Sequence, residues 1–321
     1  MDFTLRPFDL TDAWHHIAAA SLWTRACGPA FALTARGVAY NTHPCLGAEQ
    51  AGQFAFVDEQ RVGFILVSTL RDSPRVSPPE QGWIDALVVA PEQQRRGIGR
   101  ALLAWGENWL RDRGCTTARL GGSLRPFAPG LPNELGSAGF YHARGYVVRS
   151  ENAEVCDLGR DLRDYVSPVF IHDLAVTIRP LLAHEVDALR DFYLREFAGR
   201  WRYEFEQQLR DDARLSDYMI LSSERGIDAC CLMTLEDSLR PLERFYPSPL
   251  PRPWGQVGTI GVSADRRALG YGSALLDASL HHLRRRGVRG CIIDWTHLVG
   301  YYERFGFVPH RWYVMLYKEI R

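Results

Sequence analysis

At 321 residues the chain has room for two domains of ordinary size. Its content of 46% hydrophobic and 24% charged residues is that of a folded globular protein and excludes a largely disordered one. The 38 Lys plus Arg balance 38 Asp plus Glu, so no global basic field draws the chain to nucleic acid or to an anionic membrane.

The chain opens on Thr4-Leu5-Arg6-Pro7-Phe8, an expected strand, followed by a helix over Thr11 to Ala26. Two β-rich runs come next, Gln53 to Phe56 and Val62 to Leu70. A further strand, Trp83 to Val89, runs into Gln94-Arg95-Arg96-Gly97-Ile98-Gly99 and then a long helix. That helix carries Ile98, Leu102, Leu103, Trp105, Trp109 and Leu110 on one broad face. A strand at Ala118 to Leu120 leads into Gly121 to Gly139, where dense Gly and Pro predict an irregular loop. A short helix ending at Phe140-Tyr141 and a final strand complete the unit.

The same order then repeats. Thr177 to Leu181 (TIRPL) echoes the opening at an offset of 173 residues, and Gly270 follows Gly97 at that same offset. Helices are expected at Ala183 to Phe197 and near Tyr203 to Ala213, and strands at Tyr218 to Ser222, Ala229 to Thr234, Val257 to Val262 and Cys291 to Ile293. Leu275, Leu276, Leu280 and Leu283 mark the apolar face of the second long helix. Tyr302 follows Tyr141 at an offset of only 161, so the first copy holds about twelve extra residues, which fall in the Gly121 to Gly139 loop. We therefore expect a mixed α/β fold (α+β, mixed sheet) in two tandem domains, residues 1–160 and 175–321, joined by a linker over 161–174.

No run reaches the roughly 18 apolar residues of a membrane span. Met1 to Arg6 lacks the basic-then-apolar pattern of a secretory leader, so a soluble, cytoplasmic protein is expected. The seven cysteines (Cys27, Cys45, Cys115, Cys156, Cys230, Cys231, Cys291) are odd in number and form no CxxC pair, and the histidines form no HExxH. No disulfide framework and no metal are expected.

The chemistry is carried by the turn that recurs as Arg267-Ala268-Leu269-Gly270-Tyr271-Gly272. Glycines two apart let the backbone approach a ligand, and the first turn of the following helix offers unpaired N–H groups and a positive dipole end to a phosphate. The dinucleotide fingerprint fails, because Leu102 and Leu275 occupy the place of its third glycine, and no GxxxxGK[ST] is present. An ATP- or NAD-dependent enzyme is correspondingly disfavoured.

The pattern Q/RxxGxG/A between a strand and an amphipathic helix, present twice and each time with its downstream Tyr, resembles the acyl-CoA loop of the GNAT superfamily of N-acyltransferases. The resemblance covers most of the chain. It implies two tandem GNAT-like domains, each a mixed, mostly antiparallel twisted sheet flanked by helices, with acetyl-CoA as cosubstrate. It further implies that Gln94, Arg95, Arg96, Gly97, Ile98, Gly99 and Arg100, and likewise Arg267, Ala268, Leu269, Gly270, Tyr271, Gly272 and Ser273, bind the CoA pyrophosphate. Val88 and Val89, and Ile260 and Val262, would offer backbone hydrogen bonds to the pantetheine arm, and the thioester would lie where two parallel strands splay.

N-acylation needs a base for the ammonium and a proton for the departing thiolate. By the same resemblance, Tyr141 and Tyr302 match the proton donor and Asp85 the strand-borne base. The position equivalent to Asp85 in the second copy is Gly258, so a base there comes from elsewhere, for example Asp294. The Asn that many relatives carry before the Tyr is replaced by Glu134 and Trp295. Among the aromatic residues Trp201, Tyr203, Phe205, Trp254, Trp295 and Trp312, Trp295 is singled out for an acceptor pocket, core packing being the default for the rest. The expected activity is transfer of acetyl from acetyl-CoA to a primary amine of a small molecule, by direct attack, with the first copy favoured as the catalytic one. The alternative is an acyl-CoA-binding sensor or scaffold without turnover. Acceptor identity and oligomeric state stay open.

Overall fold

The computed structural model describes residues 2–149, 154–172 and 174–321. The chain forms two compact units: Met1–Val155 together with Arg311–Arg321, and Cys156–His310. Among the described residues no helix is long and apolar enough to cross a membrane.

The N-terminal unit is built from β1 (Thr4–Pro7), α1 (Ala13–Cys27), α2 (Ala35–Thr42), β2 (Ala48–Val57), β3 (Gln60–Leu70), β4 (Gln81–Val89), α3 (Ile98–Asp112), β5 (Thr117–Leu120), β6 (Leu131–Pro132) and α4 (Ala138–His142). Side-chain caps set the helix starts: Asp12 accepts from the Trp14 N–H at the head of α1, and Thr34 from the Gly37 N–H at the head of α2. The apolar stripe of α3 buries Ile98, Leu102, Leu103 and Leu110 against the sheet, while Trp105 and Trp109 are only half-buried at its margin. The Gly121 to Gly139 segment is mostly irregular. It also contains the two-residue β6 and a single 3₁₀ turn at Asn133–Leu135, and α4 begins inside it at Ala138.

The C-terminal unit follows with β7 (Glu154–Asp161), β8 (Thr177–Pro180), α5 (Val186–Glu196), α6 (Arg200–Arg210), β9 (Tyr218–Ser223), β10 (Gly226–Leu235), β11 (Trp254–Val262), α7 (Tyr271–Arg285), β12 (Gly290–Thr296) and α8 (Val299–Glu303). The chain ends with β13 (Val308–Val314) and β14 (Tyr317–Glu319). In α7, Leu275, Leu276, Leu280 and Leu283 are all fully buried, each contributing roughly 1.5–3 kcal/mol relative to exposure.

The final strands differ from the expectation that each copy closes its own sheet. The N-terminal unit's sheet runs β1-β2-β3-β4-β5-β14, with Tyr317, Lys318 and Glu319 paired to Arg119, Ala118 and Thr117. In the C-terminal unit the run β8-β9-β10-β11-β12 is continued by β7, antiparallel to β12 and encoded before the second repeat begins. Backbone hydrogen bonds along a strand edge carry no sequence address, so side chains decide the partner. Leu316 and Ile320 are buried in the N-terminal core, and the Lys318 Nζ lies 2.7 and 2.8 Å from the two Glu107 carboxylate oxygens. Leu162 and Tyr165, from the stretch expected to be a linker, are fully buried in the C-terminal core.

Candidate active site

The two glycine turns have the same backbone. Arg95 and Ala268 both adopt the left-handed region (φ 63° and 61°), as do Gly97 and Gly270 (φ 86° and 85°). Gly97 and Gly270 stand at the heads of α3 and α7, and neither helix receives a side-chain cap, so the first-turn N–H groups are left for a ligand. Succession of ordinary and left-handed residues makes an anion-binding nest of main-chain N–H groups. The side chains at these matched positions differ in charge and size, Arg95 against Ala268 and Arg96 against Leu269, which leaves the backbone as the shared recognition element.

Gln94 and Arg267 serve the turn itself. Gln94 Nε2 donates to the Val89 carbonyl (3.0 Å) and Arg267 Nε to the Val262 carbonyl (3.3 Å), tying each loop to the end of its strand. Around the N-terminal turn, Arg95, Arg100 and Arg144 line an outer cleft of about 420 Å³. Arg96 turns aside to donate to Gln93 (3.0 Å).

Each turn follows a pair of parallel strands that part. β4 pairs with β5 only over Gln81 to Ile84, and β11 pairs with β12 only over Trp254 to Val257. A bulge lies just beyond each last pair. In β4 the register against β3 slips so that Asp85 is the extra residue, between Ile84 opposite Val67 and Ala86 opposite Leu66. In β11 the slip falls between Gly258 and Gly261, where Thr259 takes φ 49°. Bulges bend a strand and re-aim a side chain, and here they turn β4 and β11 away from their parallel partners.

In the N-terminal unit the opened space is a cleft of about 220 Å³. It is lined by Asp85, Val88, Val89, Gln94, Gly99 and Tyr141, with Trp23, Cys27 and Phe127 forming apolar wall. Asp85 is buried and accepts from Ser68 Oγ (2.9 Å) and Gln50 Nε2 (3.1 Å), with the Ser123 side chain as a third partner. Burial outweighs these three donors and raises the carboxyl above its ordinary range. Burial likewise raises the Tyr141 phenol, with the Cys27 thiol adding to the effect, so the phenol holds its proton at neutral pH. Cys27 itself is pushed up to about 12 by burial.

The C-terminal unit presents a larger cleft, about 890 Å³, lined by Ile260, Val262, Arg267 to Gly270, Gly272, Ser273, Tyr301 and Tyr302. Among the described residues that line it there is no carboxylate. The Tyr302 phenol is raised by burial, with Tyr301 and Asp294 adding to the effect. A Cβ on Gly258 would fall 2.3 Å from Gln256 Nε2 and 2.8 Å from Asp294 Oδ1, so the Gln256–Asp294 pair fills the space that an acid on this strand would need. That pair is joined at 2.5 Å and extended by Thr234 and Arg240, both donating to Gln256 Oε1 at 2.8 Å. Trp295, singled out for an acceptor pocket, lies under the Arg200 guanidinium (4.8 Å), and its main-chain N–H donates to Asp157 Oδ1 (2.7 Å).

The structure thus brings Asp85, Tyr141 and the first glycine turn to one cleft, and Tyr302 with the second turn to another. Glu134, in the place of the family's Asn, is tied to Arg311 at 2.8 Å. Gln50, Ser68 and Ser123 were missed by sequence reasoning, as were Trp23 and Cys27. The legible signal was Ser68, which with Thr69 interrupts the otherwise apolar run Val62 to Leu70.

Comparison with known proteins agrees with this geometry. Residues 18–146 and 186–307 each match the acetyltransferase (GNAT) family. The chain is 32% identical over 243 residues to the mycothiol acetyltransferase of Geodermatophilus obscurus, covering 70% of both chains. Among solved structures, a tandem GNAT protein from the clavulanic acid biosynthesis pathway superposes with a TM-score of 0.71 at 17% identity, covering 100% of this chain and 99% of that one. The GCN5-related glucosamine N-acetyltransferase region of a fungal multi-domain β-N-acetylglucosaminidase superposes with a TM-score of 0.84 at 21% identity, covering 98% of this chain and 38% of that protein. With two family matches over two similar sheets and turns, the chain belongs to the GNAT family of acetyltransferases and carries its fold twice.

Proposed function

We propose that the protein transfers the acetyl group of acetyl-CoA to a primary amine of a small molecule, and that the transfer takes place in the N-terminal unit. The observation that carries this reading is the shared cleft: Asp85 and Tyr141 line the same space as Gln94 and Gly99 of the CoA turn. The uncapped start of α3 and the cations Arg95, Arg100 and Arg144 suit the CoA phosphates. Val88 and Val89 line the cleft on the strand that has parted from β5, which suits the pantetheine arm.

The acceptor's ammonium loses one proton to the Asp85 carboxylate. Its neutral nitrogen attacks the thioester carbonyl carbon, forming the C–N bond. Collapse of the adduct breaks the C–S bond, the thiolate takes the Tyr141 proton, and the nitrogen's second proton restores the phenol. Asp85 returns its proton to solvent. Direct attack is favoured over an acyl-enzyme because Cys27, the thiol in the cleft wall, is raised to about 12 and so offers almost no thiolate at neutral pH.

The test is steady-state acetylation of an amine panel by the wild type and by Asp85→Asn. General acid–base contributions are typically about 10²–10⁴-fold, and a loss of kcat of that order is expected, with acetyl-CoA affinity unchanged. A variant retaining wild-type kcat overturns the assignment of the base.

A further inference from the structure

The two copies diverge just beyond the parallel strand pair. At the repeat's offset of 173 residues Ser123 corresponds to Thr296, so each copy carries a hydroxyl at the same point after the strand. In the second copy the chain stays in β12, where Thr296 pairs with Cys156 and its hydroxyl accepts from the Leu298 N–H (3.0 Å). In the first copy β5 stops at Leu120, and Gly121 and Gly122, both left-handed (φ 62° and 66°), turn the chain out of the sheet. A side chain at Gly122 would bring its Cβ within 2.8 Å of the Pro129 carbonyl, so the turn needs glycine.

That turn delivers Ser123, 3% exposed, to the Asp85 carboxylate. Three groups face the carboxylate, Gln50 from β2, Ser68 from β3 and Ser123 from the Gly121 to Gly139 insertion, and all three are uncharged. The insertion's cation is engaged elsewhere: the Arg125 guanidinium lies over the Tyr40 ring (4.6 Å), and its Nε donates to Cys45 Sγ (3.2 Å). The Arg125 carbonyl accepts from Asn41 Nδ2 (2.7 Å), a buried bond that latches the insertion to α2 two residues beyond Ser123. Of the acid's two hydroxyl donors, one persists in the second copy. Ser68 pairs with Trp83 as Thr234 pairs with Gln256, one repeat on, and Thr234 donates to Gln256 (2.8 Å). The redirected hydroxyl and the strand acid are present together in the first copy and absent together from the second.

We propose that Ser123 is a positioning residue for the base: the Gly121-Gly122 turn and the Asn41 latch present its hydroxyl to Asp85, and the insertion thereby holds the buried carboxylate in its ionised form. The inference rests on the reading of Asp85 as the base. Burial favours the neutral acid, so each donor to the charged form counts toward its capacity to take a proton. Ser123 does not line the cleft that holds Tyr141 and the glycine turn, and it acts through Asp85 alone.

Two readouts separate this role from a merely structural one. The Asp85 carboxyl is titrated directly by carbon-detected NMR of aspartate-labelled protein, its resonance assigned by its absence in Asp85→Asn. The acid limb of kcat/KM is followed with the best amine of the panel. Ser123→Ala removes a donor to the charged form, so midpoint and limb should both move up by about one pH unit. On the acid side kcat/KM should then fall about tenfold. Asn41→Ala, which keeps the hydroxyl and opens the latch, should move both in the same direction, and Thr296→Ala should move neither. In the Asp85→Asn background Ser123→Ala should change kcat less than twofold, because its effect passes through the carboxylate. Acetyl-CoA affinity within twofold of wild type reports that each variant is folded. An Asp85 midpoint that stays in place in Ser123→Ala, or an equal drop in kcat with and without Asp85, overturns the inference. A midpoint that moves while the kinetic limb stays overturns the assignment of Asp85 as base, and with it the part of Ser123 in turnover.

Discussion

The two units share the turn, the bulge and the buried tyrosine, yet they treat the space between the parted strands in opposite ways. In the first, β4 supplies a carboxylate at the bulge, and β5 ends in Gly121 and Gly122. There is no room for a side chain at Gly121, because the insertion folds back to bring the Ala128 carbonyl within 2.7 Å of where its Cβ would be. In the second, β11 supplies Gly258, and the matching end of β12 supplies Asp294, whose carboxylate, held by Gln256, occupies the space beside Gly258. The acid has in effect crossed from one strand of the pair to the other. There it is engaged by Gln256 and is absent from the cleft wall. The glycine turn and the acid-bearing cleft are thus separable: the turn depends on local backbone, the cleft on what fills the splay.

The widest separation between the units should appear when each turn is blocked. Gly97→Asp puts an anion and a strained φ at the head of α3, and is expected to abolish both acetyl-CoA binding to that unit and turnover. Gly270→Asp is expected to remove a second calorimetric binding event while leaving turnover within twofold. Turnover lost in the second protein and kept in the first would reverse the assignment of the halves.

A smaller contrast is expected at the tyrosines. Tyr141→Phe should lower kcat by about ten- to a hundredfold, at the low end of general-acid effects, and Tyr302→Phe should leave it unchanged in the same assay. Equal effects would mean that both clefts work.

The finest distinction lies in pH. As the proposed base Asp85 acts ionised, and burial raises its pKa in the folded protein, so kcat/KM should fall as pH drops through a limb displaced above the ordinary carboxyl range. The sign for stability is opposite to that of a salt-bridged acid. A carboxyl whose folded pKa is raised stabilises the fold below the unfolded pKa, and that contribution is lost as pH rises through the folded pKa. Asp85→Asn should therefore raise Tm by a few degrees at neutral pH, by removing a charge that burial disfavours, and should leave Tm nearly unchanged at low pH. A lower Tm at neutral pH would show that the hydrogen bonds from Ser68 and Gln50 outweigh the desolvation.

Much of this was legible in order along the chain. Strands and helices followed from period and punctuation, and the two glycine turns from their spacing, because a left-handed residue and an uncapped helix start are local properties. Even the loss of the acid at Gly258 could be read by aligning the copies. What could not be read were contacts between residues far apart in sequence. Gln50, Ser68 and Ser123 reach one carboxylate only because β2, β3 and the insertion converge there.

The exchange of final strands was equally hidden, since a strand edge pairs with whichever partner buries its neighbours best. Leu316, Ile320 and the Lys318–Glu107 pair made that choice in the N-terminal unit. Local backbone chemistry therefore wrote the repeat, the family and the glycine turns into the order of residues. The surroundings of Asp85, the cleft it lines and the sheet to which each end belongs depended on three-dimensional convergence, where desolvation and packing act between groups that the chain alone keeps far apart.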